Sequence, residues 1–186
     1  MPTAVVPMKS MELAKGRLAA VLDPAGRRAL ARQMLDHVLE TLGQAGVSPV
    51  RVANGNRDLN ADVAAEAHLV QGEGTTDLLV VMADLPYLAA DDIAALIEAG
   101  RQSPVVIAEA QDGGTNALLL RPPTVLNFVF ASGQPSARRH AEQARAAGIE
   151  PVIVRRPGLA RDIDTPADLA SLASDHPAYR IYRHVA

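Results

Sequence analysis

The sequence predicts an α/β fold in which a mostly parallel sheet is flanked by helices. Apolar runs of strand length alternate with longer segments of helical period, which is the pattern of βαβ units. The run from Asp77 to Asp84 is apolar almost throughout, as expected for a strand buried on both faces. With 186 residues, 48% hydrophobic and 21% charged, the chain suits one globular domain spanning residues 1–186.

Each predicted element has a local reason. The first strand is expected to stop at Pro7, and the first helix begins behind the start signal Asp23-Pro24. The helix from Ser136 is ended by Gly148, and Thr165-Pro166 starts the last helix. The predicted strands are Ala4–Pro7, Val50–Ala53, Asp77–Asp84, Pro104–Ala108, Ala117–Leu120 and Pro151–Val154. The predicted helices are Pro24–Gly43, Asp62–Ala67, Ala90–Gly100, Ser136–Gly148 and Pro166–Ala173.

The composition excludes several classes of function. A net charge of -3 and an aromatic content of 3% argue against binding to nucleic acid or to an anionic membrane. The absence of cysteine excludes disulfides, thiolate nucleophiles and zinc-thiolate sites. The N-terminus lacks the order of a secretory signal, and no apolar run reaches the length of a membrane span, so we expect a cytoplasmic protein.

The loop after the first strand carries three cations within nine residues. Lys9, Lys15 and Arg17 would suit a triphosphate, because phosphates need clustered positive charge and a loop leaving a parallel strand also supplies backbone donors. A solvated basic loop explains the same residues equally well. The sequence therefore predicts a nucleotide-binding loop with one open alternative.

Three aspartates are candidate metal ligands. Asp84 follows the buried strand, and Asp162 and Asp164 alternate directly before the last helix, so that an extended backbone would point both to one side. Carboxylate oxygens are the protein ligands that Mg²⁺ prefers. Asp84 could instead be a turn or N-cap residue, and Asp164 a helix cap. The metal prediction therefore requires that the two segments meet.

Two further segments could hold a second, anionic ligand. The turn from Asp112 to Thr115 contains a double glycine that allows close backbone approach, and Ser136 opens a helix whose N-terminus favours an anion. A hairpin turn and an ordinary helix cap are the alternatives. His140 and His37 are interpreted as surface or packing residues.

Together, these motifs resemble the 2-phospho-L-lactate guanylyltransferase family, in order and over nearly the whole chain. The resemblance rests on five segments: Val6–Leu18, Ala83-Asp84-Leu85-Pro86, Asp112–Leu120, Ser136–His140 and Asp162–Pro166. It implies a Rossmann-like nucleotidyltransferase fold of the nucleotide-diphospho-sugar transferase type. It also implies transfer of GMP from GTP, with Mg²⁺, to phosphoenolpyruvate, 2-phospho-L-lactate or 3-phospho-D-glycerate during biosynthesis of the deazaflavin coenzyme F-420. The oligomeric state stays open between monomer and homodimer.

The resemblance assigns roles by position. The metal ligands fall on Asp84, Asp162 and Asp164, the phosphate-contacting lysine on Lys15, and the acceptor site on Thr115, Gly133 and Ser136. Lys15 and Asp84 are the expected catalytic residues.

The chain departs from the family pattern in two places. The segment Phe130–Ser136 is longer than the usual Phe-Gly-Pro-Gly-Ser, and the usual Gly-Leu-Asn helical segment before the central strand is not evident.

Two other functions are compatible with the same residues. Another nucleotidyltransferase, of molybdenum-cofactor or sugar-phosphate type, would share the aspartates but favour a glycine-rich first loop, unlike Pro7-Met8-Lys9-Ser10. A regulatory protein that binds GTP without turnover is the alternative from a different class. A pyrophosphate-release assay would separate the three.

Overall fold

Six strands form a mixed sheet in a computed structural model that describes residues 1–9, 15–55, 58–130 and 135–184. The strands are β1 (Thr3–Lys9), β2 (Val50–Gly55), β3 (Leu78–Val81), β4 (Val105–Glu109), β5 (Thr115–Leu120) and β6 (Val152–Val154). Their order across the sheet is β2-β1-β3-β5-β4-β6. β5 runs antiparallel to both neighbours, whereas the other three pairings are parallel. The predicted α/β fold is confirmed.

Helices cover both faces of this sheet. They are α1 (Pro24–Gln44), α2 (Leu59–Gly72), α3 (Ala90–Ala99), α4 (Ser136–Ala146), α5 (Pro157–Ala160) and α6 (Pro166–Asp175), with 3₁₀ helices at Gly16–Leu18 and Pro177–His184. Alternate strand residues point to opposite faces, so Val6 packs with α1 and α3 while its neighbour Val5 packs with α2 and α4. A third apolar cluster joins α1, α6 and the last 3₁₀ helix.

The direction of β5 determines which residues reach the ligand edge of the sheet. The carboxyl ends of β1, β3, β4 and β6 share one edge because these strands are parallel. β5 runs the other way, so its first residue, Thr115, lies at that same edge. Ligands of open α/β sheets bind at this edge.

Two predictions about the elements were wrong. β1 continues through Pro7 to Lys9. Its pairing with β3 ends at Val5, so no strand on the β3 side needs a hydrogen bond from position 7, and a proline without an N–H is tolerated there. The short helix predicted from Asp62 is the 14-residue helix α2, which begins at Leu59 behind the N-cap Asp58. A helix thus does precede the central strand β3.

None of the helices in the described ranges combines the length and apolar character that a bilayer crossing requires.

Candidate active site

Three carboxylates come together at the ligand edge of the sheet. One oxygen from each of Asp84, Asp162 and Asp164 lies within 4.8 Å of the others. Asp84 follows β3, and Asp162 and Asp164 flank Ile163, whose side chain is buried in the third apolar cluster. Burying the middle residue leaves both carboxylates on the other side of an extended segment. The predicted meeting of the two segments is confirmed as geometry; we call these residues the carboxylate cluster.

The helix-cap interpretations of these aspartates were wrong. The N-cap of α3 is Ala89, five residues after Asp84. The N-cap of α6 is Thr165, whose hydroxyl accepts a hydrogen bond from the Asp168 N–H. Asp168 in turn accepts from the backbone N–H groups of Asp164 and Thr165. The carboxylate of Asp164 is therefore not used for capping.

Lys15 lies inside the carboxylate cluster. Its Nζ donates to Asp84 Oδ2 at 2.6 Å and to Asp164 Oδ1 at 3.1 Å, and its side chain is only 7% exposed. Burial alone would lower its pKa, but the charges and hydrogen bonds of the two aspartates outweigh burial and raise the pKa above the ordinary value. Lys15 is therefore a charged, buried counter-ion, held at a backbone φ of 56° that non-glycine residues seldom adopt.

The cluster still carries excess negative charge. Burial, and then the charges of Asp84 and Asp164, raise the pKa of Asp162 to about 6, although Lys15 acts in the opposite direction. Arg17 approaches Asp164 at 3.4 Å, but its side chain is 76% exposed, so solvent screens the contact. The oxygens of these three carboxylates are a donor set that fits a divalent cation, since Mg²⁺ is held by carboxylate oxygens and commonly takes one or two of them from the protein.

Hydrogen bonds to backbone carbonyls hold the two segments of the carboxylate cluster in place. The antiparallel pairing of β3 and β5 continues past Val81, because the Met82 N–H donates to the Asn116 carbonyl at 3.0 Å. The buried Asn116 side chain then donates to the carbonyl of Leu159 at 3.0 Å. These bonds tie the segment before Asp162 to β5, which pairs with the strand that leads to Asp84, and so they position the carboxylates.

A second polar cluster contains no ionised group. The Oγ1 of Thr115 lies 2.9 Å from the Oγ of Ser136 and 3.1 Å from the Nδ1 of His140. His140 is completely buried, and Thr115 and Ser136 are 5% and 2% exposed. We call these three residues the hydroxyl–histidine cluster. The predicted meeting of Thr115 and Ser136 is confirmed as geometry.

Ser136 is not the cap of its helix, contrary to the alternative considered from sequence. The N-cap of α4 is Pro135, and Ser136 is the first helical residue. The Ser136 hydroxyl is hydrogen-bonded to the hydroxyl of Thr115. The double-glycine turn supports this arrangement: Gly113 has a φ of 84°, and its carbonyl accepts from the Ala137 N–H at 3.2 Å. The start of α4 therefore packs on the turn before β5.

The structure brings His140 into the hydroxyl–histidine cluster, which the sequence did not predict. Sequence reasoning interpreted it as a surface or packing histidine, yet both ring nitrogens are hydrogen-bonded, with Nε2 accepting from the Val129 N–H at 3.1 Å. Burial, and then the nearby Arg139, lower its pKa to about 4. The spacing in the sequence could have indicated this contact, because His140 follows Ser136 by four residues and therefore lies on the same face of the helix. His37 lies elsewhere, with Nε2 3.0 Å from the Leu88 carbonyl.

The roles of all the predicted site residues stay predictions, and two of these residues cannot be placed. Gly133 and the side chain of Lys9 lie outside the described residues.

A family model described as "Guanylyl transferase CofC like" matches residues 2–176 of the chain. The phosphoenolpyruvate guanylyltransferase of Sphaerobacter thermophilus is 38% identical, with 94% of this chain and 93% of that protein covered. The protein of the same name from Rubrobacter xylanophilus is 39% identical, with 95% and 96% covered. The 2-phospho-L-lactate guanylyltransferase of Halomicrobium mukohataei is 36% identical, with 90% and 83% covered.

These comparisons confirm the resemblance drawn from the motifs. The alignments with the first two relatives extend over 195 and 199 positions, more than the 186 residues of this chain. Those relatives therefore carry residues at positions where this chain has gaps.

Solved structures share the fold. A protein of Desulfovibrio desulfuricans G20, provisionally named a nucleotide-diphospho-sugar transferase, superimposes with a TM-score of 0.76 at 18% identity, covering 97% of this chain and 91% of that one. CMP:2-keto-3-deoxy-manno-octonic acid synthetase gives a TM-score of 0.58 at 15% identity, covering 99% of both chains. At these identities the likeness establishes the Rossmann-like fold alone.

Proposed function

Because the chain belongs to the family of CofC-like guanylyl transferases and is a nucleotidyltransferase, we propose that it transfers GMP from GTP to a phosphorylated three-carbon acid and releases pyrophosphate. The observation that carries the proposal is the carboxylate cluster with Lys15 inside it, at the same edge of the sheet as the buried hydroxyl pair of Thr115 on β5 and Ser136 on α4. We place the reaction in biosynthesis of the deazaflavin coenzyme F-420.

Phosphoenolpyruvate is the first acceptor to test, and 2-phospho-L-lactate and 3-phospho-D-glycerate are the next. Relatives named phosphoenolpyruvate guanylyltransferase are 38% and 39% identical, and one named for 2-phospho-L-lactate is 36% identical. All three acceptors present a phosphate and a carboxylate, so the same donors could hold each of them.

The reaction joins two anions. A phosphate oxygen of the acceptor attacks the α-phosphorus of GTP, and the bond from that phosphorus to the bridging oxygen of pyrophosphate breaks. The acceptor phosphate is largely ionised at pH 7, since the second pKa of a phosphate ester is about 6, so no protein base is required. The barrier is then mainly one of positioning and charge.

Two groups of residues would bind the two anionic substrates. Asp84, Asp162 and Asp164 would hold Mg²⁺, which when bound supplies positive charge to the phosphate oxygens. Lys15 lies among these carboxylates and would contact the triphosphate together with Lys9 and Arg17. Thr115, Gly133 and Ser136 would bind the acceptor, and the strand ends fix the approach of one substrate to the other.

A pyrophosphate-release assay tests the proposal. The protein is incubated with each of GTP, ATP, CTP and UTP, with and without each acceptor, in Mg²⁺ or in excess chelator. We expect release with GTP, an acceptor and Mg²⁺ together. A preference for another nucleotide or a sugar phosphate would identify a different nucleotidyltransferase, and GTP binding without turnover would identify a regulatory protein.

A further inference from the structure

We propose that His140 is a positioning residue that keeps one hydroxyl proton of the Thr115–Ser136 pair available for the anionic acceptor. The inference rests on the proposed function, because it takes these two hydroxyls as part of the acceptor site. His140 itself touches neither substrate in this proposal. Its effect passes through the hydrogen bond to Thr115.

The backbone selects the tautomer of His140. The Val129 N–H can only donate, and it points at Nε2 from 3.1 Å, so Nε2 must present its lone pair. The ring is neutral at pH 7, because burial and the nearby Arg139 lower the pKa of His140 to about 4. A neutral imidazole carries one proton, which therefore sits on Nδ1. The Nδ1–H then donates to the Oγ1 of Thr115.

Counting protons shows what this tautomer does. Nδ1 and the two hydroxyls together hold three protons, but among the described residues these side chains make two contacts with one another, Nδ1 to Thr115 and Thr115 to Ser136. Whichever hydroxyl donates across the 2.9 Å contact, the other keeps a proton that the cluster does not use. With the opposite tautomer, Thr115 would donate to Nδ1 and Ser136 to Thr115, and both hydroxyl protons would be consumed.

A spare hydroxyl proton selects the chemistry of the ligand. Ionised phosphate and carboxylate groups accept hydrogen bonds and donate none. A buried donor that finds no partner within the described part of this cluster favours such an anion, because leaving it unpaired is costly. The cluster thus binds the acceptor anion without a second positive charge. The surroundings keep the ring neutral, since Phe130 packs edge-on at 5.1 Å and Arg139 repels an added proton.

The first test needs no turnover. Long-range proton–nitrogen correlation NMR of the ¹⁵N-labelled protein at pH 7 distinguishes protonated from unprotonated ring nitrogens, and the signals lost in His140→Asn assign the residue. We expect a proton on Nδ1 and none on Nε2. A proton on Nε2, or on both nitrogens, would overturn the inference whatever the enzyme does.

The second test separates the two contacts of His140. In His140→Asn the amide reaches the position of Nδ1 and can donate to Thr115, whereas in His140→Gln it reaches the position of Nε2 and serves Val129 instead. We expect the Gln variant to raise the acceptor KM by a few-fold with the GTP KM nearly unchanged, because one hydroxyl proton stays spare but Thr115 is no longer held as a hydrogen-bond acceptor. The Asn variant should keep an acceptor KM close to that of the wild type. His37→Gln is the matched control, because His37 bonds to a backbone carbonyl away from this cluster.

The outcomes distinguish this inference from the proposed function. Equal rises of both KM values in the Asn and Gln variants, in step with a lowered melting temperature, would reduce His140 to a packing residue. Unchanged kinetics in the Gln variant would also overturn its positioning role. A wild-type protein that turns over none of the acceptors, yet shows the Nδ1–H tautomer, would count against the proposed function.

Discussion

The carboxylate cluster and the hydroxyl–histidine cluster lie at the same edge of the sheet but differ in almost every physical property. The first is charged and partly exposed, with Asp164 45% exposed, and it balances three carboxylates against one buried ammonium. The second holds no ionised group, and all of its side chains are at least 95% buried. Under the proposed function, the first cluster would bind an anion through cations, and the second would bind one through directed hydrogen-bond donors.

This difference suggests how a site can hold two anions at once. A second cationic cluster would compete with the first for the triphosphate, because charge attracts any phosphate at short range. Buried hydrogen-bond donors bind only a ligand whose shape places its acceptor atoms against them. Under the proposed function, the charged cluster would therefore supply binding strength, and the neutral cluster would supply discrimination between ligands.

Removing one metal ligand should have the largest effect. We expect Asp84→Asn to lower kcat at least about 100-fold, since even the outer partners of metal ligands are worth about 10- to 100-fold. The fold should persist, because the volume is nearly unchanged. Steady-state pyrophosphate release at several Mg²⁺ concentrations measures the effect. Asp91→Asn, at an exposed position of α3, is the control. Unaltered Mg²⁺-dependent activity in the Asp84 variant would remove Asp84 from the metal site.

Acid should weaken the neutral cluster. The pKa of His140 falls from 6.5 in the unfolded chain to about 4 in the fold, so the unfolded state binds more protons between these values. Stability is therefore lost as pH falls from about 6.5 to about 4, by about 3 kcal/mol in total at roughly 1.4 kcal/mol per pKa unit. Below pH 4 the loss from this residue levels off.

Denaturant unfolding across pH 4 to 7 measures this loss. Asp162, whose pKa is raised to about 6, acts with the opposite sign in part of the same window, because its folded form binds the proton more tightly. The difference between wild type and His140→Asn isolates His140. A difference that does not change with pH would show that this histidine is not buried in its neutral form.

Replacing Lys15 should change both the kinetics with GTP and the response of the unliganded carboxylate cluster to Mg²⁺. Replacing Lys15 by Ala removes a charge-assisted phosphate contact worth roughly 1.5–3 kcal/mol, which corresponds to about a 10- to 100-fold loss in kcat/KM for GTP. It also leaves the carboxylates without their counter-ion. We therefore expect Mg²⁺ alone to raise the melting temperature more in this variant than in wild type.

The control for Lys15 is Arg32→Ala, which removes an exposed ion pair with Asp36 and should change neither property. If the Lys15 variant keeps wild-type GTP kinetics and responds to Mg²⁺ as wild type does, the buried ion pairs of Lys15 have no part in the site.

The smallest effect should come from Ser136. We expect Ser136→Ala to raise the acceptor KM about tenfold while the GTP KM changes little, because one hydroxyl donor is lost. Stability should fall by about 1 kcal/mol through the lost bond to Thr115. Kinetics with each substrate varied in turn, beside a thermal melt, measure both. Equal changes in the two KM values would return Ser136 to a purely structural role.

The charged cluster was the easier one to predict from sequence. Asp84 follows an apolar run and Asp162 and Asp164 alternate around Ile163, and each pattern is local. The bridging position of Lys15 was not predicted, because it depends on contacts 69 and 149 residues away along the chain. The charge of a basic loop can be seen in the sequence, but the residues that it contacts cannot. Lys15 was therefore predicted to bind phosphate, and its ion pairs with Asp84 and Asp164 were not predicted.

The neutral cluster was only half predicted. Thr115 and Ser136 followed from the family resemblance and the turn chemistry, whereas His140 carried no charge pattern that marked it. Its helix buries Ala137, Ala141 and Ala144 on the same side, so the burial of His140 depends on packing against β4 and β5. Helix spacing could have indicated the shared face with Ser136, but the Val129 contact depends on tertiary structure.

The reversed direction of β5 has a consequence for how such enzymes diverge. The charged cluster is encoded by the first loop, the end of β3 and residues 159–164, while the neutral cluster is encoded by one continuous stretch from the turn before β5 to α4. Under the proposed function, mutations in that stretch would change which acid is accepted and leave the nucleotide half intact, provided that Asn116 keeps its bond to Leu159. A lineage could thus change its acceptor by altering residues 110–140 alone, and gene segments covering this range are natural units for exchange between relatives with different substrates.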